Sequence, residues 1–218
     1  MSRAVFSAPG TDSGALRLTV RQRVQLPLAA CARVPECVSF SGLAPGDEPV
    51  ALVFGPLSAS QPVPVRLHSE CLTGDVFGSQ RCDCGPQLQE ALQQLDAEGG
   101  VLLYLRQEGR GIGLYAKLDA YQLQQQGLDT FAANRALGWA EDARDYRSAA
   151  AMLQALGIAA VHLISNNPDK ARALAAHGVS VASVRPTGLH LTPHNKGYLQ
   201  AKKNQHGHHL AALLADAG

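Results

Sequence analysis

The sequence has no long apolar run and no excess of either charge. Lys and Arg number 19 and Asp and Glu number 18 among the 218 residues, so no basic field is available for non-specific binding to nucleic acid. No stretch approaches the roughly 20 apolar residues needed to cross a bilayer. The first 14 residues lack the hydrophobic segment of a secretory signal. We expect a cytoplasmic protein with a flexible tail over residues 1–14 that binds neither nucleic acid nor membrane.

Two well-known motifs are also missing. No C-x2-C pair occurs, which argues against a zinc ribbon with four thiolate ligands. The sequence G-x4-G-K-[ST] is absent as well, so the chain has no Walker A phosphate loop. If the protein binds a metal or a nucleotide, the motifs responsible must be of another kind.

Three of the five cysteines, Cys71, Cys82 and Cys84, are concentrated in the segment 66–85. Clustered thiolates suit zinc, whereas three cysteines cannot all be paired in disulfides, and nothing else suggests an oxidising compartment. Three protein ligands would leave a fourth position open, as in catalytic zinc sites. His68, three residues before Cys71, could instead close the site as Cys3His. The spacing alone leaves both arrangements open.

The first part of the chain is predicted to be rich in β-structure. Short apolar segments, such as the alternating Leu16–Val20, are separated by turn-forming residues throughout the stretch 15–67. Pro86 then opens the clearest helix, in which leucines and alanines recur with helical spacing. The continuous apolar run 101–105 predicts a buried strand, and a further helix is predicted over 115–126.

The second part of the chain alternates between helix and strand. Residues 160–184 predict a β-loop-α-β unit with short connections. A final helix is predicted over 198–214, with His206, His208 and His209 on its surface. We therefore predict one α/β domain over residues 15–218, with a mixed sheet flanked by helices.

A glycine-rich loop, 106–113, follows the predicted buried strand. Its backbone amides and arginines are suited to phosphate, although a turn made flexible by glycines is equally consistent. Glu108 lies between Arg106 and Arg110, and a carboxylate can accept two parallel N–H bonds from a guanine edge. By charge alone, the segment 141–146 is typical of a solvated surface turn.

Taken together, these motifs resemble the GTP cyclohydrolase II family of riboflavin biosynthesis. The resemblance runs from about Val50 to the C-terminus and implies the stand-alone form, because there is no room for the butanone-phosphate synthase domain often fused in front. The first 50 residues match poorly. The resemblance rests on five segments: Arg66–Asp75, Arg81–Gly85, Arg106–Arg110, Asp142–Asp145, and Ser165–Pro168 with Lys170.

The resemblance implies a role for individual residues. The zinc ligands would be Cys71, Cys82 and Cys84, with water in the fourth position. The catalytic residues would be Asp142 as proton acceptor, Arg144 as nucleophile toward phosphorus and Tyr121 as proton donor. The remaining expected contacts to GTP are Arg66, Leu67, His68, Ser69, Glu70, Gln87, Glu108, Gly109, Arg110, Thr130, Ser165 and Lys170.

The implied reaction hydrolyses GTP to 2,5-diamino-6-(5-phospho-ribosylamino)pyrimidin-4(3H)-one, formate and pyrophosphate. Zinc would activate water for attack on carbon 8 of the base, and Mg2+ would neutralise the triphosphate. A protonated guanidinium has no free lone pair, so Arg144 could equally act as a phosphate clamp. The resemblance also implies a homodimer.

Two other functions are compatible with parts of the sequence. The first is a zinc-stabilised module that binds a purine nucleotide without turnover, but Asp142, Arg144 and Tyr121 exceed the needs of binding. The second is a family member that opens the ring and retains the formyl group. An intact Tyr121 argues against it, because the second hydrolysis needs a proton donor.

Overall fold

The computed structural model describes residues 16–57, 60–128, 130–140 and 142–195. The predicted tail over residues 1–14 and the predicted helix over 198–214, with its three histidines, lie outside the described residues. The side chain of Thr130 lies outside them as well.

The described residues contain a seven-stranded mixed sheet in the order β1-β2-β3-β5-β4-β6-β7. The pairs β1–β2, β2–β3 and β3–β5 are antiparallel. The pairs β5–β4, β4–β6 and β6–β7 are parallel. The predicted α/β class, mixed sheet and β-rich N-terminal part are confirmed. The strands are β1 (Thr19–Gln25), β2 (Glu36–Ser41), β3 (Val50–Phe54), β4 (Val63–Ser69), β5 (Gly100–Leu105), β6 (Ala160–Ile164) and β7 (Ser180–Arg185).

Short and long helices connect the strands, and a 3-10 turn spans Glu108–Gly111. The helix predicted to open at Pro86 begins two residues earlier, at Cys84. Proline is tolerated in this first turn because the backbone N–H groups there have no intrahelical acceptor. None of the helices in the described ranges is long and apolar enough to cross a membrane. The helices are α1 (Leu72–Asp75), α2 (Cys84–Glu98), α3 (Leu114–Gln125), α4 (Thr130–Ala136), α5 (Arg147–Ala155) and α6 (Pro168–Ala176).

Helices cover both faces of the central strands. Because side chains alternate along a strand, Leu102 of β5 joins a cluster with Leu92 and Leu95 of α2, whereas its neighbour Leu103 lies in a larger core with residues of α5 and α6. This burial on both faces explains why β5 reads as a continuous apolar run.

The parallel strands β4, β5 and β6 end at one edge of the sheet. The segments that follow them are 70–83, 106–113 and 165–167, and together they contain most of the residues singled out from the sequence. Ligands of open α/β sheets bind outside the carboxyl ends of the strands. The topology therefore places the candidate site at this edge.

Candidate functional site

The three clustered cysteines converge where β4 meets α2. The Sγ atoms of Cys71 and Cys82 are 3.6 Å apart, and those of Cys71, Cys82 and Cys84 all lie within 4.8 Å of one another. Zinc with Zn–S distances of about 2.3 Å and tetrahedral angles separates its sulfur ligands by about 3.8 Å. The three thiols therefore fit a zinc ion, and we take them as the candidate metal centre.

His68 does not join this cluster. Its Nε2 lies 3.1 Å from both carboxylate oxygens of Asp75, which also accepts hydrogen bonds from Tyr104 Oη at 2.8 Å and from the Cys71 amide at 3.0 Å. Burial lowers the pKa of His68 in spite of Asp75, so the ring is neutral and donates Nε2–H to the carboxylate. A closed Cys3His site is therefore not formed among the residues described.

Asp75 was not singled out from the sequence, although it ends the first quoted motif. Its buried carboxylate orients the backbone amide of Cys71 and the side chains of His68 and Tyr104 at once. An acidic residue four positions after Cys71, within the short helix α1, is the feature that could have indicated this role.

The three thiols share their protons unequally. Hydrogen bonds from Cys82 and Cys84, with the Lys117 cation nearby, hold the pKa of Cys71 far below its ordinary value. The bond to Cys71 in turn raises the pKa of Cys82 to about 11. A divalent cation would replace these shared protons with stronger bonds, which is why thiol clusters of this kind favour metals.

Gly74 lies beside the sulfur atoms, and its lack of a side chain leaves room for them. A Cβ added there would lie 2.8 Å from Cys82 Sγ, 3.1 Å from Cys84 Cβ and 3.2 Å from Cys71 Sγ. Real Cβ atoms are not found as close as the first of these distances, so a side chain would displace the thiols.

We expect Gly74→Ala to lower the free energy of unfolding by about 1–3 kcal/mol, as overpacking does, and to reduce the zinc retained per chain. Denaturant unfolding and metal analysis measure the two effects. Gly138→Ala is the control for zinc content: a Cβ there meets nothing within 4 Å, but φ is 77°, so this variant should lose on the order of 1 kcal/mol of stability and keep its zinc. Equal zinc content in both variants would contradict the role assigned to Gly74.

The loop after β5 is held against the thiols by Glu108. Oε1 of this carboxylate accepts hydrogen bonds from Lys117 Nζ and the Gly109 amide, both at 2.8 Å, and Oε2 accepts one from the Leu72 amide at 2.7 Å. A carboxylate offers about four acceptor positions, so about one remains. Recognition of guanine by Glu108 stays a prediction.

The same loop has an unusual backbone. Gly109 and Arg110 both have positive φ, at 61° and 63°, a conformation that costs a residue with a side chain on the order of 1 kcal/mol or more. Arg110 adopts this conformation, and its carbonyl accepts a hydrogen bond from the Ala143 amide at 3.0 Å. Its strained turn therefore fixes the position of the segment that carries Asp142 and Arg144.

Asp142 and Arg144 form a close ion pair. The Asp142 carboxylate accepts hydrogen bonds from the Arg144 amide at 3.1 Å, from Nε at 2.8 Å and from the terminal guanidinium nitrogen. Burial opposes ionisation, but these contacts outweigh it and lower the pKa of Asp142. Tyr146 is only 6% exposed. The surface turn that charge alone suggests for this segment is therefore correct only in part: Ala143 and Asp145 are exposed, whereas Asp142 and Arg144 are partly buried.

Four of the expected substrate contacts lie near the ends of β4 and β6, three of them buried and one, Gln87, partly buried. Arg66 donates to Gln87 Oε1 at 3.0 Å and to the Ile164 carbonyl at 3.2 Å. Lys170 Nζ donates to the Leu67 carbonyl at 2.6 Å. Ser165 Oγ accepts the Asn167 amide at 3.0 Å, which shapes the turn before α6.

The other expected contacts are more varied. Ser69 accepts a hydrogen bond from Gln107 at 3.1 Å, and Glu70 pairs with Arg106 at 2.9 Å. The side chain of Leu67 is fully buried in the larger core, so only its backbone is available to a ligand. Thr130 begins α4.

Tyr121 lies on α3 beside the thiol cluster. The guanidinium carbon of Arg81 lies 4.4 Å from the centre of its ring and Lys117 Nζ lies 5.6 Å from it. Burial raises the pKa of Tyr121, so the phenol keeps its proton at neutral pH. The pattern of α3 had not indicated Lys117, although it precedes Tyr121 by four residues and so shares its helix face.

Fold and site together define an α/β protein with a three-thiol candidate metal centre beside a loop rich in glycine and arginine. A family model described as GTP cyclohydrolase II matches residues 20–186, and the chain belongs to this family. The match starts well before Val50, so the first strands, where the motifs had been hard to find, are part of the family domain.

Named relatives agree with this assignment. The chain is 51% identical to GTP cyclohydrolase-2 of Vibrio parahaemolyticus over 88% of its own length and 98% of the relative's. It is 50% identical to GTP cyclohydrolase-2 of Vibrio cholerae, over 89% and 98%. Against the riboflavin biosynthesis protein RibBA of Bacillus subtilis it is 49% identical over 89% of this chain and 50% of that protein. The chain thus covers 98% of the length of the two Vibrio relatives.

Proposed function

We propose that the protein hydrolyses GTP to formate, pyrophosphate and the diaminopyrimidinone ribosyl phosphate, with zinc on Cys71, Cys82 and Cys84. Its family makes it an enzyme of riboflavin biosynthesis that acts on GTP. The observation that carries the zinc proposal is the fit of the three sulfur atoms to a tetrahedral ion.

At the base end of the substrate, the chain supplies proton transfer and orientation. When bound, zinc supplies a Lewis acid that activates water near neutral pH. Tyr121 is protonated and close to the cluster, so it is suited to donate a proton as the ring C–N bonds break. Asp75 fixes His68 and the Cys71 backbone, which keeps the ligand set in one arrangement.

At the phosphate end, the chain supplies positive charge and a base. Arg144 is positioned by Asp142, whose carboxylate is ionised, the charge state that its proposed role as proton acceptor requires. The backbone of Arg110 holds this pair in place, and Lys170 adds a buried cation. Mg2+ on the triphosphate would neutralise the leaving pyrophosphate.

The test of this function is to incubate the zinc-loaded protein with GTP and Mg2+ and to assay formate and pyrophosphate separately. We expect both products in equal amounts. Pyrophosphate without formate would mean an enzyme that retains the formyl group. Binding of GTP without either product would mean a nucleotide-binding module.

We expect Tyr121→Phe to slow formate release by about 10²–10⁴-fold, the usual contribution of a general acid. The ring and its contact with Arg81 remain in this variant, so only the phenolic proton is lost. Stopped assays of both products measure the effect. Formate release at the wild-type rate would remove Tyr121 from the mechanism.

We also propose a homodimer in a reducing, cytoplasmic setting. A site built of thiolates requires reduced cysteines. The single chain exposes several large apolar side chains, among them Phe77 at 72% and Tyr115 at 81%, and such side chains mark association surfaces where they form a contiguous patch. Sedimentation equilibrium at twice the monomer mass would support the dimer, and a monomer would refute it.

A further inference from the structure

Lys117 is a buried lysine that no motif of the sequence indicated. Its side chain is about 10% exposed, and Nζ donates to Cys71 Sγ at 3.2 Å, to Glu108 Oε1 at 2.8 Å and to Thr73 Oγ1 at 2.9 Å. An ammonium group has three protons. All three are therefore directed to acceptors within the candidate site.

Such a placement is costly. Lysine is almost never buried unless it is paired, and burying a charge is compensated only when the geometry of the pair is good. An apolar side chain would have packed α3 against the loop without this cost. The two charged acceptors lie on different functional parts, because Cys71 belongs to the metal centre and Glu108 to the loop after β5.

The charges of the site explain what the ammonium contributes. Three thiolates and one zinc ion carry a net charge of −1, and the Glu108 carboxylate adds another negative charge. A cation between them removes the repulsion that the carboxylate would otherwise feel. A hydrogen bond to a thiolate also withdraws electron density from sulfur, which leaves the metal more electron-poor.

We propose that Lys117 is a positioning residue that couples the metal centre to the substrate loop by holding the Cys71 sulfur and the Glu108 carboxylate on one ammonium group. The proposal rests on the proposed function for its substrate. It implies that loss of Lys117 changes the electronic state of the metal site and weakens GTP binding together.

The absorption spectrum of cobalt-loaded protein tests the effect of Lys117 on the metal site, and this measurement needs no turnover. Cobalt-loaded wild type should show a thiolate-to-metal charge-transfer band, and in Lys117→Met this band should move to lower energy because the sulfur becomes more electron-rich. Lys117→Arg keeps the charge and an N–H donor, so its band should stay close to that of wild type. Lys170→Met is the matched control, because this buried lysine donates to the Leu67 carbonyl; its cobalt spectrum should be unchanged.

Calorimetry tests the effect of Lys117 on the affinity for GTP. In a zinc-loaded background carrying Tyr121→Phe and Arg144→Ala, where release of both products is slowed and zinc is expected to be kept, adding Lys117→Met should raise the dissociation constant of GTP about tenfold. Circular dichroism confirms that each variant is folded. A wild-type cobalt spectrum and unchanged GTP affinity in Lys117→Met would overturn the proposal. Should wild type fail to turn over GTP at all, the proposed function fails, and the cobalt spectra still decide whether Lys117 acts on the Cys71 sulfur.

Discussion

Replacing Cys82 with serine should give a folded protein that retains no zinc and releases formate at least about a thousandfold more slowly. A hydroxyl is a poor zinc ligand, and two thiolates alone do not form a site with the affinity of three. Activation of water by a metal lowers the activation free energy by several kcal/mol. About 4 kcal/mol corresponds to a thousandfold change in rate. Metal analysis and the formate assay on the same preparation measure both effects.

Cys37→Ser is the control for the loss of a thiol. Cys37 is partly buried in β2, outside the cluster, so this variant should keep its zinc and its formate release. The fold should survive in Cys82→Ser as well, since the hydrophobic cores do not include Cys82. Formate release by a zinc-free Cys82→Ser protein would show that the metal centre is not catalytic.

The sequence predicted the parts of this site that local chemistry determines. Clustered thiols in a polar segment, a buried strand followed by a glycine-rich loop, and a helix opened by Pro86 are each recognisable within about 20 residues. The parallel order of β4, β5 and β6 then brings their ends together by topology. The α/β class followed from the alternation of helix and strand.

Burial is the property that the sequence did not show. The segment 141–146 has the charge of a surface turn, but Tyr146 belongs to the larger core and the Arg110 carbonyl accepts the amide of Ala143. Leu67 is a predicted GTP contact whose side chain lies in the core, so only its backbone is available. Such contacts join residues far apart in the sequence, so neither charge nor periodicity records them.

Length and context explain the other differences. The helix α1 has four residues and α4 has seven, too few for a helical period to emerge. The first strand was predicted over Leu16–Val20 and runs instead over Thr19–Gln25, where its pairing with β2 decides its limits. Lys117 and Asp75 were missed because the role of a single charged residue cannot be inferred from the sequence before its partners are known.

Replacing Arg144 with alanine should slow pyrophosphate release by about 10³-fold or more while the zinc content stays at the wild-type value. Arginines that stabilise phosphoryl transfer contribute 10³–10⁵ in rate. Zinc should be retained because Arg144 pairs with Asp142 and lies over the ring of Tyr146, in a segment that carries none of the candidate zinc ligands. Arg147→Ala is the matched control: this neighbouring arginine is more than half exposed and pairs with Asp145, so its loss should leave pyrophosphate release nearly unchanged.

GTP labelled at the α-phosphorus separates the two roles considered for Arg144. A nucleophile would leave the label covalently attached to denatured wild-type protein and absent from Arg144→Ala, and Asp142→Asn would lose it as well, because the guanidinium must give up its proton during attack. A phosphate clamp would leave no label on any of them. Arg144→Lys would then retain part of the rate, since an ammonium preserves the charge but not the paired N–H donors. The close contact of Asp142 with Arg144 Nε is compatible with proton transfer and with simple orientation, so the label decides between a bond to phosphorus and a charge beside it.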